Sequence, residues 1–224
     1  MPSPPRPLTL TEGSPGIVSP MRIHAISAAV LGCLSLAQAD TLVRIPTAYK
    51  TLKGTAKVRH VANQGAIGRG LTEVSLPVLE GFELRLGRIH ERARGESDSI
   101  SLSYQYLPPF TDTLPGIAFG IEDIADQTPQ GRSAYAVVTW NLGLTGTLNQ
   151  DVPAELTIGA GTNRYKGIFL GARVPFSKQF NFIIEHDSRD ASAGIEIKPF
   201  QNVAVQWMFQ QNRTQLGAWY VARF

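Results

Sequence analysis

The sequence predicts an all-β fold: an antiparallel up-and-down transmembrane β-barrel of about twelve strands (10 to 12) that follows an N-terminal signal peptide. Three observations support this prediction. Strand-length segments that alternate between apolar and polar residues follow one another from Thr55 to Phe224, which is the pattern of strands between lipid and a wet interior. The connections alternate between proline-containing and charged. The final segment ends in an aromatic residue.

The N-terminal part is predicted to be an export signal. Residues 1–20 hold six prolines and no periodicity, so we interpret them as a non-native or misassigned extension. Residues 21–39 begin with a basic region and continue with an apolar run and a small-residue pattern up to Ala39, as in a secretory signal peptide. Cleavage near Ala39 would leave residues 40–224 as a single barrel domain.

Composition excludes several classes of protein. A mean hydropathy of −0.05 excludes a bundle of apolar helices, but it suits a barrel whose two faces cancel. The isoelectric point of 9.1 invites a nucleic-acid partner. We predict none, because the basic residues are interleaved with acids and an exported protein meets little nucleic acid. The only cysteine, Cys33, lies in the signal region, so no disulfide or thiol chemistry is expected unless Cys33 itself is lipidated.

Twelve segments have the length and alternation of strands. The fourth shows the alternation most clearly, because Ser99, Ser101 and Ser103 are separated by apolar residues. The predicted strands span residues 55–63, 70–78, 81–92, 98–107, 115–125, 132–142, 154–162, 167–175, 179–187, 192–198, 202–211 and 215–224.

One face of these strands carries charged and amide side chains, which we expect to line the barrel interior as a paired network. The candidate lumen residues are Glu83, Arg85, Glu122, Glu155, Arg173, Glu185, Glu196, Lys198 and Gln206. A soluble periplasmic β-sandwich binding module is the main alternative, because its polar face in bulk water would show the same alternation. Absence of aromatic residues at the lipid interfaces, where we expect Tyr106, Trp140 and Phe224, would favour the sandwich.

Alternate connections have different chemistries, as expected for turns on opposite sides of a membrane. The even-numbered connections contain prolines, namely Pro77, Pro108, Pro109, Pro115, Pro153, Pro175 and Pro199, whereas the odd-numbered ones are polar or charged. An even strand count leaves both ends of the barrel on the periplasmic side, so the proline connections are predicted to be periplasmic. Proline is apt there because it ends a strand sharply.

The final segment resembles the C-terminal assembly signal of bacterial outer-membrane proteins, with Tyr220 and Phe224 as its aromatic positions. The partners expected from this resemblance are the barrel-assembly machinery and outer-membrane lipid. Pairing of this segment with the first strand would remove the unpaired edge that is a liability in any open sheet.

The segment Glu185–Ser188 offers the one catalytic hypothesis. His186 and Ser188 share a predicted strand face and would serve as base and nucleophile of a lipolytic enzyme. No asparagine stands where it would orient the histidine, so we predict a polar external turn instead, and no enzyme. The histidines fall on separate strands without ligand-like spacing, so neither a metal nor another cofactor is predicted.

The stretch from Gly167, GIFLGARVPFSKQFNFIIEHDSRDASAGIEIKPFQNVAVQWMF, resembles the repeated hairpins of the YjbH-like outer-membrane family. Glu185 and Asp187 match its pattern, whereas His186 and Ser188 depart from it. The opening RIPTAYKTLKG from Arg44 is similar to the segment that leads into the first strand of such proteins. The resemblance implies a barrel linked to exopolysaccharide production, with polysaccharide-export components as partners, and no catalytic residues.

We therefore predict a non-enzymatic, porin-like protein of the bacterial outer membrane that supports the cell envelope, exopolysaccharide transport or passage through a narrow pore. Paired lumen side chains would fill the interior and restrict such a pore.

Overall fold

A computed structural model describes the chain over residues 41–64, 69–91, 95–109, 114–143, 152–210 and 213–224. The predicted extension 1–20, the signal peptide 21–39, Cys33 and Ala39 lie outside the described residues. The strands are β1 (Thr55–Gln64), β2 (Arg69–Leu79), β3 (Phe82–Glu91), β4 (Gly95–Leu107), β5 (Gly116–Glu122), β6 (Ser133–Leu142), β7 (Ala154–Gly161), β8 (Gly167–Pro175), β9 (Phe180–His186), β10 (Ala191–Phe200), β11 (Val203–Gln210) and β12 (Arg213–Arg223).

These strands form one closed barrel in which each strand pairs antiparallel with its neighbours in sequence. β1 and β12 close it, with Thr55 opposite Arg223. The predicted up-and-down barrel of about twelve strands is therefore confirmed. We call the end at which β1 begins and β12 ends the terminal end, and the opposite end the loop end. A short 3-10 helix, Asn163–Tyr165, lies between β7 and β8 at the loop end.

No helix in the described parts of the chain is long and apolar enough to cross a membrane.

The barrel is apolar outside and polar inside. Along β9, Phe180, Phe182 and Ile184 are exposed while the residues between them are buried, because successive side chains of a strand point to opposite faces. Phe182 is 50% exposed, whereas Glu83 and Glu196, which face inward, are 0% exposed. The outward aliphatic and aromatic side chains continue around the barrel, as lipid contact requires.

The prolines lie closer to the strands than predicted. Pro77 is inside β2, opposite Glu83, and Pro199 is inside β10. In both strands the register shifts next to the proline, since proline cannot donate to the ladder and is tolerated at a bulge. Pro175 is the last residue of β8. The prediction that these prolines lie in the turns is therefore wrong by a few residues, although all three are at the terminal end.

The strand that was predicted to end at Phe224 ends at Arg223. Phe224 lies beyond it and donates its backbone N–H to the carbonyl oxygen of Gly54 at 2.9 Å. Its side chain is exposed, as is that of Tyr220 on the outer face of β12.

Candidate functional site

The interior of the barrel is occupied by a stretch of the chain that belongs to no strand. Residues 41–53, which we call the lumen segment, precede β1. All but Leu52 and Lys53, which are exposed, run inside the barrel. Ile45 and Ala48 are 0% exposed and Leu42 is 1% exposed. The sequence predicts only a segment leading into the first strand here, so the position of these residues in the lumen is a new finding.

Contacts with the wall show that the lumen segment crosses the barrel. Near the terminal end, the backbone N–H and hydroxyl of Thr51 donate to Glu83 Oε2 at 2.7 and 2.6 Å. Near the loop end, the guanidinium of Arg44 is 2.6 Å from Asp187 Oδ2. Glu83 lies at the start of β3 and Asp187 directly follows β9. The segment therefore extends from one end of the barrel to the other.

The wall binds mainly the backbone of the lumen segment. Glu185 Oε2 accepts the N–H groups of Val43 and Arg44, each at 3.1 Å, and Gln206 Nε2 donates to the carbonyl of Leu42 at 3.1 Å. Thr139 accepts the N–H of Ala48 at 2.9 Å. Further donors to backbone carbonyls are Arg59 to Val43, Arg164 to Arg44 and Gln105 to Ala48. These bonds satisfy a buried backbone that has no strand partner.

One side of the wall presents apolar residues to the lumen segment. Leu42, Val43, Ile45 and Ala48 share a buried cluster with inward-facing residues of five strands and of the 3-10 helix. The wall members are Ala118, Tyr135, Val137, Tyr165, Phe169, Ile183 and Met208. The barrel thus contains a small hydrophobic core built between its wall and its own N-terminal segment.

Two glycines let aromatic side chains lie flat against this wall. A Cβ at Gly120 would lie 2.4 Å from the ring of Tyr135, and one at Gly159 would lie 2.2 Å from the ring of Phe169. Each pair sits directly across neighbouring strands. An inward-facing aromatic covering a cross-strand glycine is a known device for curved sheets, and here it clears space for the lumen segment.

A buried ion-pair network lies in the terminal half of the lumen. Arg173 Nη1 is 2.7 Å from Glu155 Oε2, and Arg173 Nε is 3.5 Å from Glu196 Oε1. Glu196 also accepts from Asn181 at 2.8 Å and from Gln206 at 2.7 Å. Lys198 is 3.3 Å from Glu196 and is more exposed than the other charged members, so it lies at the edge of this network. Each buried carboxylate here has a cationic or amide partner, as a low-dielectric interior requires.

A second network lies toward the loop end. Glu122 accepts from Arg164 at 2.9 Å and from the hydroxyl of Tyr165 at 2.8 Å, and Arg85 approaches it at 3.3 Å. Burial raises the pKa of Tyr165 well above its usual value, so its hydroxyl keeps the proton that it donates. The same hydroxyl is 3.3 Å from the carbonyl oxygen of Arg44. The 3-10 helix thereby joins this network to the lumen segment.

The structure therefore gathers the predicted polar residues into three groups. Glu155, Arg173, Glu196, Lys198 and Gln206 are in the terminal-half network, Arg85 and Glu122 are in the loop-end network, and Glu83 and Glu185 bind the backbone of the lumen segment. Whether they line a passage stays a prediction. The residues missing from the prediction are the lumen segment itself and its partners, such as Arg59, Thr139 and Tyr165.

The geometry gives no support to the lipolytic hypothesis. His186 is the last residue of β9, and Ser188 lies beyond that strand with a φ of 75°. The Ser188 hydroxyl is buried and has no hydrogen-bond partner among the described residues. A nucleophile needs a base within hydrogen-bond reach, and His186 does not provide one here.

Among the residues that the structure describes, no three His, Cys, Asp or Glu side chains are grouped as a metal site would require.

No protein-family model matches the chain, and no curated protein matches it either. Two solved structures of the KdgM porin are similar to this chain. The complex with disordered oligogalacturonate is 17% identical and the porin alone is 15% identical. Each has a TM-score of 0.49, and the similarity covers 76% of this chain and 99% of the porin. A mutant of the Rh. blastica porin matches at 10% identity and a TM-score of 0.35, over 69% of this chain and 55% of that one. At this similarity, the ligand of one porin says nothing about what the present barrel binds.

Proposed function

We propose that the protein is an outer-membrane β-barrel that provides a narrow passage for ions or small solutes, and that its lumen segment keeps this passage closed at rest. The observation that carries the proposal is the filling of a barrel lumen by a coil segment that continues into β1 and contacts the rest of the wall through side chains, without joining a strand ladder. The side chains of the strands cannot leave the lumen unless the barrel unfolds, whereas a coil segment can leave it while the barrel stays folded.

The outward band of apolar side chains supports the membrane location. Monomeric soluble proteins rarely expose contiguous apolar patches larger than a few hundred Å², and here such residues surround the barrel. Tyr106 and Phe224, both exposed at the terminal end, provide aromatic side chains for one interface with the lipid headgroups. With the terminal end in the periplasm, Arg44 would face the outside of the cell.

The contacts of the lumen segment support a closed resting state that can open. Burial of an aliphatic side chain contributes about 1.5–3 kcal/mol, and Leu42, Val43 and Ile45 are all buried. Its bonds to the barrel involve wall side chains, so its departure would leave the strand ladders intact. The opened passage would be no wider than an extended peptide with its side chains.

Departure of the lumen segment would also set the ion preference of the passage. Glu185 and Asp187 now bind the backbone N–H groups and the guanidinium of the segment. Without it, the carboxylates of Glu83, Glu185 and Asp187 and the guanidinium of Arg59 would lose their partners in the segment. Carboxylates would then outnumber cations among the freed groups in a confined space, where charges of one sign concentrate counter-ions. We therefore expect the open state to prefer cations.

The test combines location and conductance. The folded protein should fractionate with the outer membrane, migrate differently on gels when unheated, and show rare, brief conductance steps in planar bilayers. A freely soluble periplasmic product would contradict the membrane part of the proposal.

A second candidate is a closed, non-conducting barrel with a structural or partner-scaffold role. The two buried ion-pair networks favour it, because they restrict the lumen even beside the segment. Complete absence of conductance from a variant whose segment has been displaced would decide for this role. Polysaccharide export, implied by the YjbH-like resemblance, stays a prediction for either candidate.

The aromatic residue at position 224 is expected to matter for assembly beyond its burial. A charge near a membrane interface costs only about 0–1 kcal/mol, so Phe224→Lys should be mild if lipid contact alone counts. We expect instead a steep fall in the outer-membrane level of Phe224→Lys, with Phe224→Leu intermediate and Arg213→Ala unchanged. Equal levels of Phe224→Lys and wild type, measured by immunoblot of membrane fractions, would show that the assembly machinery does not read this residue.

A further inference from the structure

We propose that the lumen wall is a binding site for a peptide that folds into a tight bend, and that the lumen segment is its tethered, exchangeable occupant. The inference deepens the proposed function and rests on it, since the site is free only when the segment withdraws. It adds the chemical class of ligand that the lumen accepts, because closure of the passage by the segment does not by itself identify a ligand.

Recognition of the backbone is the first argument. Wall side chains accept backbone N–H groups at four positions of the lumen segment and donate to carbonyls at four: the N–H groups are those of Val43, Arg44, Ala48 and Thr51, and the carbonyls are those of Leu42, Val43, Arg44 and Ala48. Backbone groups are common to every peptide. A wall that provides them with donors and acceptors is therefore suited to a peptide that adopts the bend of the lumen segment, in which the N–H of Leu42 donates to the carbonyl of Ile45 at 3.1 Å.

Side-chain contacts then restrict which peptide fits. A Cβ at Gly171 would lie 2.4 Å from Leu42 Cδ1 and 2.7 Å from Ile45 Cδ1, so both aliphatic chains lie directly on the wall where β8 has no side chain. Between them, Arg44 is 2.6 Å from Asp187 and 4.0 Å from Asp190. The wall accordingly favours an aliphatic residue, then a basic residue two positions later, then another aliphatic residue.

Charge supports the same class of ligand. Glu185 has no cation within ion-pair distance among the described residues, and its carboxylate binds two backbone N–H groups and the hydroxyl of Ser192 at 3.1 Å. Carboxylates that bind backbone N–H groups make strong, charge-assisted bonds. This carboxylate would repel an anion, whereas the backbone N–H groups and the cationic side chain of a basic peptide complement it.

The experiment frees the site after the intact chain has folded. A specific protease sequence is inserted between Leu52 and Lys53, which are both exposed, and the folded barrel is then cut. The probe is a fluorescent peptide of residues 41–52, TLVRIPTAYKTL. We expect saturable binding to cut barrels and none to uncut ones, measured by fluorescence anisotropy. The cut barrel could also retain the fragment on size-exclusion chromatography. Replacement of that fragment by excess probe would then equally support the peptide site.

Matched probes test the recognition itself. A peptide with N-methylated amides at Val43 and Arg44 should bind at least about tenfold more weakly, because each N-methyl group removes a charge-assisted hydrogen bond to Glu185. Arg44→Glu in the peptide should lose a similar factor. Gly171→Val in the cut barrel should weaken binding of the unmodified probe, and Arg88→Ala, far outside the lumen, should leave it unchanged.

The outcomes separate this inference from the proposed function. Equal binding to cut and uncut barrels, or release of the fragment without any uptake of probe, would overturn the peptide site. Conductance of the same cut barrels tests the passage independently. Conducting barrels that ignore the probe refute only the peptide site, and barrels that bind the probe but never conduct refute only the passage.

Discussion

Replacing Ile45 by glutamate is expected to turn a closed barrel into a conducting one. Ile45 is 0% exposed and packs in the cluster with Phe169 and Ile183. A carboxylate at this position would be buried among apolar side chains, and burial of an unpaired charge costs several kcal/mol. Since each 1.4 kcal/mol changes a population ratio tenfold, the expelled segment should leave the lumen open for most of the time.

A leucine in the same segment is the control. Leu52 is 48% exposed, so Leu52→Glu adds the same charge without burying it and should retain the rare openings of the wild type. Single-channel recording in planar bilayers measures both. If Ile45→Glu and Leu52→Glu conduct alike, the lumen segment is not the gate.

A reversible lock makes the test independent of folding defects. The backbone of Ala48 donates to Thr139 Oγ1 at 2.9 Å, so these two residues are in contact and a cysteine pair here is the one with which to cross-link segment and wall. In the Ile45→Glu background, oxidation of Ala48→Cys/Thr139→Cys should abolish conductance and reduction should restore it. Openings that persist in the oxidised form would place the passage elsewhere.

Replacing Arg173 by leucine is expected to be the most destabilising change in the wall. Arg173 is buried between Glu155 and Glu196, and breaking a buried ion pair by removing one partner costs about 3–5 kcal/mol. Glu155 would lose its closest cation, whereas Glu196 would keep Lys198. We expect a marked loss of folded barrel, measured as the urea midpoint in detergent micelles and as the level in the outer membrane.

Arg88 provides the matched control. It pairs with Asp98 at 2.8 Å, but both side chains are exposed, and exposed ion pairs contribute little. Arg88→Leu should therefore leave the urea midpoint close to that of the wild type. The double change Arg173→Leu/Glu155→Leu should recover part of the loss, because replacing both partners of a buried pair is far less costly than removing one. Equal midpoints for Arg173→Leu and Arg88→Leu would contradict a stabilising role for the network.

The barrel could be predicted because period-2 alternation is a local property. In β3 and β9, the polar positions Glu83, Arg85 and Glu185 alternate with apolar ones, and that alternation determines the face of each side chain whatever its partner. Strand ends were less accurate. Pro77 and Pro199 lie inside strands because the register shift that accommodates them depends on the neighbouring strand, which the sequence of one strand does not report.

The lumen segment could not be predicted from its own residues. A stretch without periodicity carries no information about which surface it contacts. The sequence of the wall, however, carries a signal for it: Phe169 interrupts the alternation between Ile168 and Leu170, and Ile183 does so between Phe182 and Ile184. Strands that are apolar on both faces must bury both, so something apolar had to occupy the lumen beside β8 and β9.

The bond between Phe224 and Gly54 has a consequence for the order of assembly. Gly54, with a φ of 76°, is the hinge at which the lumen segment turns into β1, and its carbonyl accepts the backbone N–H of Phe224. Sealing of the β1–β12 seam and anchoring of the hinge are therefore a single event. A nascent barrel whose seam is still open therefore has an unanchored hinge, and the lumen segment acquires a fixed starting point beside the lumen only when β1 and β12 pair.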